Sequence, residues 1–393
     1  MAVNYLLIFF WALVITVAYT FFGYGILLYV LVCIKRIFAK GDNFPNDFNP
    51  QITILIAAYN EEGCIRNKIE NTLKLDYPAD NKKIIIISDG STDHTNPIVQ
   101  EYPGIKHLYQ EERKGKIDAV KRAMKYVETE FVVFTDANTE LNVDALKKIT
   151  RHFRFEIVGA VAGEKRILSR DKDIASASGE GIYWKYESKL KQWDSEFHSV
   201  VGAAGELFAI RTQLFENIPD DTLIEDFYLT LKIAQKGYKV VYEPHAYALE
   251  EPSVSAIEEL KRKIRIAAGG LQAISRLLPL LNFFKYRWLS LQYISHRVLR
   301  WTLAPLALPI IFFLNASLAF TIGSFYTFLF LGQVMFYVLA VFGFLFEKRA
   351  IKIKLFFIPF YFCLMNYAVY AGFIRLIRGT QTVLWERAKR RTG

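Results

Sequence analysis

Three stretches of the sequence contain no Asp, Glu, Lys, Arg or His: Met1 to Ile34, Trp301 to Phe346, and Leu355 to Ile374. A helix needs roughly 20 consecutive apolar residues to cross a bilayer. The fold must therefore put hydrocarbon-facing helices at both ends of the chain and fit its polar residues between them. A cleaved signal peptide carries basic residues before its apolar run, whereas here Lys35 and Arg36 follow it. Residues 1–36 are expected to stay as a membrane anchor whose carboxyl end lies in the cytosol, because basic flanks remain on that side. The stretch from Trp301 accommodates two spans with a turn near Gly323 and Ser324. The last stretch contains Pro359 and Asn366 and precedes Arg375, Arg378, Arg387, Lys389, Arg390 and Arg391. It is expected to be re-entrant or interfacial, so that the basic tail at 379–393 stays in the cytosol.

The net charge of +10 raises the question of nucleic acid, but nine Lys and Arg fall between Lys261 and Arg300 with no acid among them, just before the apolar stretches. That placement suits an anionic lipid surface, and no nucleic-acid partner is expected. Cys33, Cys64 and Cys363 form no CxxC pair, which points to neither a zinc site nor a disulfide framework and agrees with a reducing compartment.

Between the apolar ends the pattern changes. Residues 37–50 read as a polar linker. Short β-branched runs then alternate with amphipathic stretches: a strand at Gln51 to Ala58, a helix over Glu61 to Leu75, strands at Lys83 to Ser88 and Ile105 to Tyr109, a helix over Lys116 to Val127, and a strand at Phe131 to Thr135. This alternation predicts an α/β domain over 51–253 with a mostly parallel sheet, whose ligands bind beyond the carboxyl ends of the strands. Residues 254–297 mix basic and large apolar side chains around Gly269, Gly270 and Pro279, the composition of helices lying in the membrane interface. Residues 298–378 form the carboxyl-terminal membrane region.

The residues that follow the strands are chemically suggestive. Tyr59-Asn60-Glu61 offers an aromatic ring and a carboxylate to a base or ribose, and Asp89-Gly90-Ser91-Thr92-Asp93 places acids where such groups are hydrogen-bonded. The second segment reads equally well as a polar turn capping a helix. Asp136-Ala137-Asn138 pairs a carboxylate with an amide oxygen, which suits Mg²⁺ or Mn²⁺, although a turn-forming acid is the plainer alternative. Arg113-Lys114-Gly115-Lys116 opens a helix and favours an anion, or is simply a solvated charge run. Gly202 to Glu206 permits close backbone approach by a ligand. Glu225-Asp226 begins an apolar helix, where an acid serves as a cap or as a general base.

In this order the segments resemble glycosyltransferase family 2, inverting enzymes of the GT-A fold (Rossmann-like) that include cellulose, chitin, hyaluronan and poly-N-acetylglucosamine synthases. The resemblance spans about Gln51 to Gly270. It implies a nucleotide-sugar donor, a membrane lipid or polysaccharide acceptor, and a Mg²⁺ or Mn²⁺ cofactor. It also implies roles: Asp226 as the base; Tyr59, Glu61, Asp89, Lys116, Asp136 and Arg265 toward the donor; Gly205, Glu206 and Glu225 toward the acceptor; Asp136 and Asn138 toward the metal. The implied location is the cytoplasmic membrane, with the catalytic domain in the cytosol and the lipid bilayer as a partner.

Two departures stand out. The metal motif is commonly Asp-x-Asp, but Asn138 replaces its second acid. Polymerising members carry Gln-x-x-Arg-Trp some forty residues after the base, where this chain has Arg262-Lys263-Ile264-Arg265-Ile266 and no ring. A literal Arg297-Val298-Leu299-Arg300-Trp301 abuts an apolar stretch and reads as an interfacial anchor. Addition of one or a few sugars is therefore expected rather than processive synthesis. A transporter is disfavoured because the apolar stretches hold no ionisable residue of the five types above. An inactive binding protein is disfavoured because Asp136 and Asp226 both remain.

Overall fold

A computed structural model describes residues 2–38, 48–168, 179–251, 256–347 and 353–384. The expected linker therefore lies mostly outside the described residues, as does the tail beyond Leu384. The strand and helix expectations from Gln51 to Thr135 hold to within a few residues. β1 (Ile52–Ala58), α1 (Ile65–Leu73), β2 (Lys82–Asp89), β3 (Lys106–Gln110), α2 (Lys116–Met124) and β4 (Phe131–Asp136) follow one another in sequence. After them come β5 (Thr139–Leu141), α3 (Ala145–Thr150), β6 (Val158–Ile167), α4 (Gly179–Phe197), β7 (Leu207–Arg211), α5 (Glu225–Gln235) and β8 (Lys239–Glu250).

The eight strands form one sheet in the order β3-β2-β1-β4-β7-β6-β8-β5. The first four are mutually parallel, while β7 runs antiparallel to both β4 and β6. Every residue of β1 is buried, as expected of a parallel strand covered on both faces. Alternate residues feed two cores. Leu55, Ala57, Ile85 and Phe134 pack on one face with Ile117, Val120 and Phe227. Ile54, Ile56, Ile84 and Val133 pack on the other with Ile65, Ile69 and Ile149. Strand order reverses between β1 and β4, so the crevice at their carboxyl ends is the switch point where such sheets bind ligands. Ala57 pairs there with Asp136.

The membrane-type elements only partly follow their expected outlines. The first helix runs to Phe38 and contains a π-helical turn at Tyr19–Gly23. Before that turn, Phe10 and Leu13 pack on Ala307, Ile311 and Leu318. After it the helix docks on α4: Tyr24 and Leu28 cluster with Leu190, the Tyr24 hydroxyl donates to Asp194, and Lys35 Nζ donates to the carbonyls of Glu196 and Phe197 at 2.6 and 2.9 Å. Its second half thus packs on the polar domain, while Val3–Phe38 as a whole is long and apolar enough to cross a membrane.

Downstream, Ala256–Arg276 forms the basic helix α6. The two expected spans are α7 (Leu303–Thr321) and α8 (Ser324–Glu347), turned at Gly323, whose φ of +87° favours glycine. α7 and α8 are antiparallel neighbours, with Asn315 on Gln333 and Phe312 on Tyr337. α9 (Lys354–Ile377) is unbroken, and it too is long and apolar enough to cross a membrane. Phe356 near its start packs on Phe346 at the end of α8, while Tyr370 near its end donates to the Pro305 carbonyl at the start of α7 at 2.5 Å. Midway along it Phe362 meets Phe336 of α8, and Gly372 meets Ile264, Ala267 and Ala268 of α6.

Candidate active site

The loops after β1 and β2 lock edge to edge. Asn60 adopts φ +51°, its amide donates to Ser91 Oγ at 3.0 Å, and its side-chain oxygen accepts from the Thr92 amide at 2.8 Å. The Glu61 amide donates to Thr95 Oγ1 at 2.8 Å. The guanidinium of Arg113 lies 3.7 Å above the Tyr59 ring, a planar cation on its aromatic face. Glu61 is buried and its carboxylate accepts from Cys64 Sγ at 3.0 Å. Asp89 is fully buried, and its two oxygens accept from the amides of Lys114 and Gly115 at 3.0 and 2.7 Å. Both acids, expected to face the donor, shape their own loops in this structure. Asp89 fixes the turn through Gly115, whose φ of +98° suits no L side chain, and so aims Lys116.

Lys116 Nζ lies 2.9 Å from Asp136 Oδ1 and 2.8 Å from Glu225 Oε1. A Cβ at Gly205 would stand 3.3 Å from that nitrogen and 3.6 Å from Asp226 Oδ2, so the segment before β7 passes close to both groups. Four segments distant in sequence thus meet around one ammonium. Burial works against the Lys116 charge, but Asp136 and Glu225 outweigh it and hold the amine above the usual lysine range. Burial also raises Asp136, with Lys116 opposing. For Glu225 the balance tips the other way, and Lys116 keeps it ionised below the usual carboxylate range despite burial. Burial and then the Glu225 charge push Asp226 up to about 7.

Asn138 Nδ2 donates to Glu250 Oε1 at 3.0 Å, which leaves its amide oxygen as the end available to a ligand. Among the described residues no three His, Cys, Asp or Glu side chains gather into a metal cage. One carboxylate and one amide oxygen fit a Mg²⁺ or Mn²⁺ that takes its other ligands from phosphates and water. Arg265 lends its charge to Glu225, and its Nε is buried with no hydrogen-bond partner among the described residues, an orphaned donor suited to an oxyanion.

Residues 53–218 match Glycosyl transferase family 2. The chain carries a glycosyltransferase family 2 domain. Among curated relatives, the probable glycosyltransferase YdaM of Bacillus subtilis is 27% identical over 251 residues, covering 61% of this chain and 59% of YdaM. The poly-beta-1,6-N-acetyl-D-glucosamine synthase of Staphylococcus epidermidis is 28% identical over 235 residues, covering 57% of this chain and 56% of the synthase. The chain therefore spans less than two thirds of the length of these relatives. Among solved structures, the mannosyltransferase PcManGT of Pyrobaculum calidifontis, in complex with GDP-Man and Mn²⁺, shares the fold with a TM-score of 0.69 at 22% identity, over 94% of this chain and 99% of its own.

On its far wall the glycosyltransferase domain holds Glu206 between cations. Lys165 donates to both Glu206 and Glu250, and Arg262 lies 4.0 and 3.5 Å from the same pair. Burial would raise the Glu206 acid, but Lys165 and Arg262 hold it down at about 2. Sequence reasoning missed Lys165 and Glu250, which come from strands too far apart in the chain to suggest each other.

The expected lipid anchor at Arg297 to Trp301 is corrected. Trp301 packs edge-on against Phe227 with ring centroids 5.3 Å apart, and a Cβ at Gly270 would come within 2.4 Å of its ring. Arg297 donates to the Val201 carbonyl at 3.3 Å and pairs with Glu187 at 2.8 Å, as Arg300 does at 2.7 Å. The motif underpins the helix that begins with Glu225 and Asp226. Sequence reasoning also missed Lys68, a lysine on the buried face of α1. Burial pulls its ammonium down to about 7, with Asp136 partly opposing.

Proposed function

We propose that this chain transfers a sugar, with inversion, from a nucleoside diphosphate sugar, first of all a UDP-sugar, to a hydroxyl of a lipid or saccharide acceptor held at the membrane. The observation that carries this reading is the meeting of Lys116, Asp136, Gly205, Glu225 and Asp226 at the switch point of the sheet, with Asp226 poised near neutrality. A general base works best when its pKa lies near the operating pH. Asp226 removes the proton from the acceptor hydroxyl, whose oxygen attacks the anomeric carbon from the face opposite the departing diphosphate; an α-linked donor gives a β-linked product. Lys116 and Arg265 receive the negative charge that builds on the leaving diphosphate. Asp136 and the Asn138 amide oxygen would hold Mg²⁺ or Mn²⁺, which supplies Lewis-acid neutralisation of that same charge. Tyr59 offers its face to the base, Asp89 and Glu61 keep the loops in shape, and Glu206 with Gly205 borders the acceptor side.

In this reading the anchor and the helices near Trp301 sit in the cytoplasmic membrane, and Lys35 and Arg36 place the catalytic domain on the cytosolic side. A second reading, a processive polysaccharide synthase, is favoured by one observation: the ring of Trp301 lies against the base helix, although Ile266 offers none. Purified enzyme in lipid nanodiscs, given a panel of UDP- and GDP-sugars with and without Mn²⁺, tests both. Metal-dependent release of the nucleoside diphosphate from one preferred donor is expected, and no release from any donor would overturn the assignment. Long polysaccharide made from donor alone would select the synthase reading.

A further inference from the structure

Lys68 is the one fully buried lysine amine whose hydrogen bonds go to no carboxylate among the described residues. Its Nζ donates to Thr135 Oγ1 and to the Thr139 carbonyl, both at 2.8 Å, and approaches Thr139 Oγ1 at 3.3 Å. A side-chain ammonium only donates, so each hydroxyl that accepts from it must direct its own proton elsewhere. Thr135 Oγ1 donates to the Glu206 carbonyl at 2.9 Å, and Thr139 Oγ1 donates to the Asp136 carbonyl at 3.0 Å. One buried donor thus orients two hydroxyls toward two different backbone segments. The first is the turn carrying Asp136 and Asn138. The second is the Gly205-Glu206 segment that borders Asp226.

Isolated buried charge is costly, and an apolar residue would pack on this face beside Ile65 and Ile69 without that cost. An amine here makes sense if what it holds is worth the penalty. Asn138 already lacks the second carboxylate of the usual metal motif, so affinity for a divalent ion depends more heavily on how well the remaining two oxygens are held.

We propose that Lys68 is a positioning residue that fixes the Asp136-Ala137-Asn138 turn against the Gly205-Glu206 segment through Thr139 and Thr135. It sets divalent-metal affinity without touching metal or donor. The inference rests on the proposed metal role of Asp136.

The test is Mn²⁺ binding by electron paramagnetic resonance in the presence of UDP, with UDP binding in EDTA measured alongside, on the full-length wild type, Lys68→Met and Thr139→Val. Lys68→Met is expected to weaken Mn²⁺ binding about tenfold or more, while metal-free UDP binding stays within twofold, a split that general loosening of the fold would not give. Thr139→Val, which leaves the lysine in place, is expected to weaken Mn²⁺ binding severalfold, and it carries the test if Lys68→Met does not fold. Wild-type Mn²⁺ affinity in Lys68→Met, or in Thr139→Val where that variant alone folds, would overturn the role of Lys68 while leaving the metal site intact. Absence of Mn²⁺ binding in the wild type would overturn both the metal role of Asp136 and this inference.

Discussion

The loop anchored by Asp89 and the helix start at Glu225-Asp226 present the same kind of residue in the same kind of place: a carboxylate, fully buried in Asp89 and partly buried in Asp226, at an element end near the sheet's switch point. They are nonetheless opposites. Both oxygens of Asp89 accept backbone N–H groups within 3.0 Å, so its charge is spent on structure. Asp226 has the Glu225 charge beside it and is pushed up to about 7. On the proposed reading Asp89 is a scaffold acid and Asp226 the reacting one, and what separates them is the set of charges and donors around each carboxylate rather than burial alone.

The sharpest way to break this contrast is Asp226→Asn, which keeps the shape and removes the base. Turnover is expected to fall about 10²-fold or more with donor affinity little changed, as for loss of a general base. Measured in single-turnover assays, a near wild-type rate would remove Asp226 from the mechanism. The reverse pattern is expected for Asp89→Asn. Its amide turns an N–H toward a backbone N–H and leaves a buried donor unpaired, a loss of about 1–3 kcal/mol. Its melting temperature should drop, and activity should fall with it as Lys116 loses its aim. Equal stability of Asp89→Asn and wild type would show that the loop does not depend on the acid.

Titration gives a third test. Asp226 has to be ionised to act, so turnover at saturating donor should rise with pH and level off above about 7. The stability contribution has the opposite sign. Between the ordinary aspartate range and about 7 the folded state binds the extra proton, so stability falls as pH rises across that window and is flat above it. Asp226→Asn should abolish that slope in a series of melting curves. A slope that survives in the variant belongs to another group.

The contrast also bears on what a sequence can reveal. Asp89, Asp136 and Asp226 stand out in the sequence as candidate site acids because each follows a strand or opens a helix, and the parallel alternation tells where such ends converge. Which of them would be satisfied by backbone donors was not legible, since that depends on how the Gly115 turn folds back over β2. The fold itself was readable down to the turn at Gly323, because apolar runs and period carry it. The docking of the first helix on α4 was not legible, because its uncharged residues suit both lipid and a protein groove and the contact of Tyr24 with Asp194 joins residues far apart in the chain. Arg297 to Trp301 misled, a basic-aromatic cluster at a span being common to lipid anchors and to this packed motif. Lys68 did leave a signal: a lysine interrupting the buried stripe of Ile65, Ile69 and Thr72.

Glu206 stands between the two extremes and gives the smallest expected effect. Lys165 and Arg262 hold its acid down, and those cations have a second partner in Glu250. Glu206→Gln therefore leaves Lys165 paired, and the link from Thr135 survives because it uses the main-chain carbonyl of residue 206. The Glu206 charge also contributes to raising Asp226, so removing it makes Asp226 easier to ionise. The acid limb of the pH-rate profile should move to lower pH by a fraction of a unit, with turnover on the plateau within about tenfold of wild type, a smaller loss than removal of the base itself gives. A shift toward higher pH would contradict the charge arrangement around Asp226. A turnover loss as large as that of Asp226→Asn would mean that Glu206 touches the reacting groups and that the cation clamp is part of the chemistry rather than its frame.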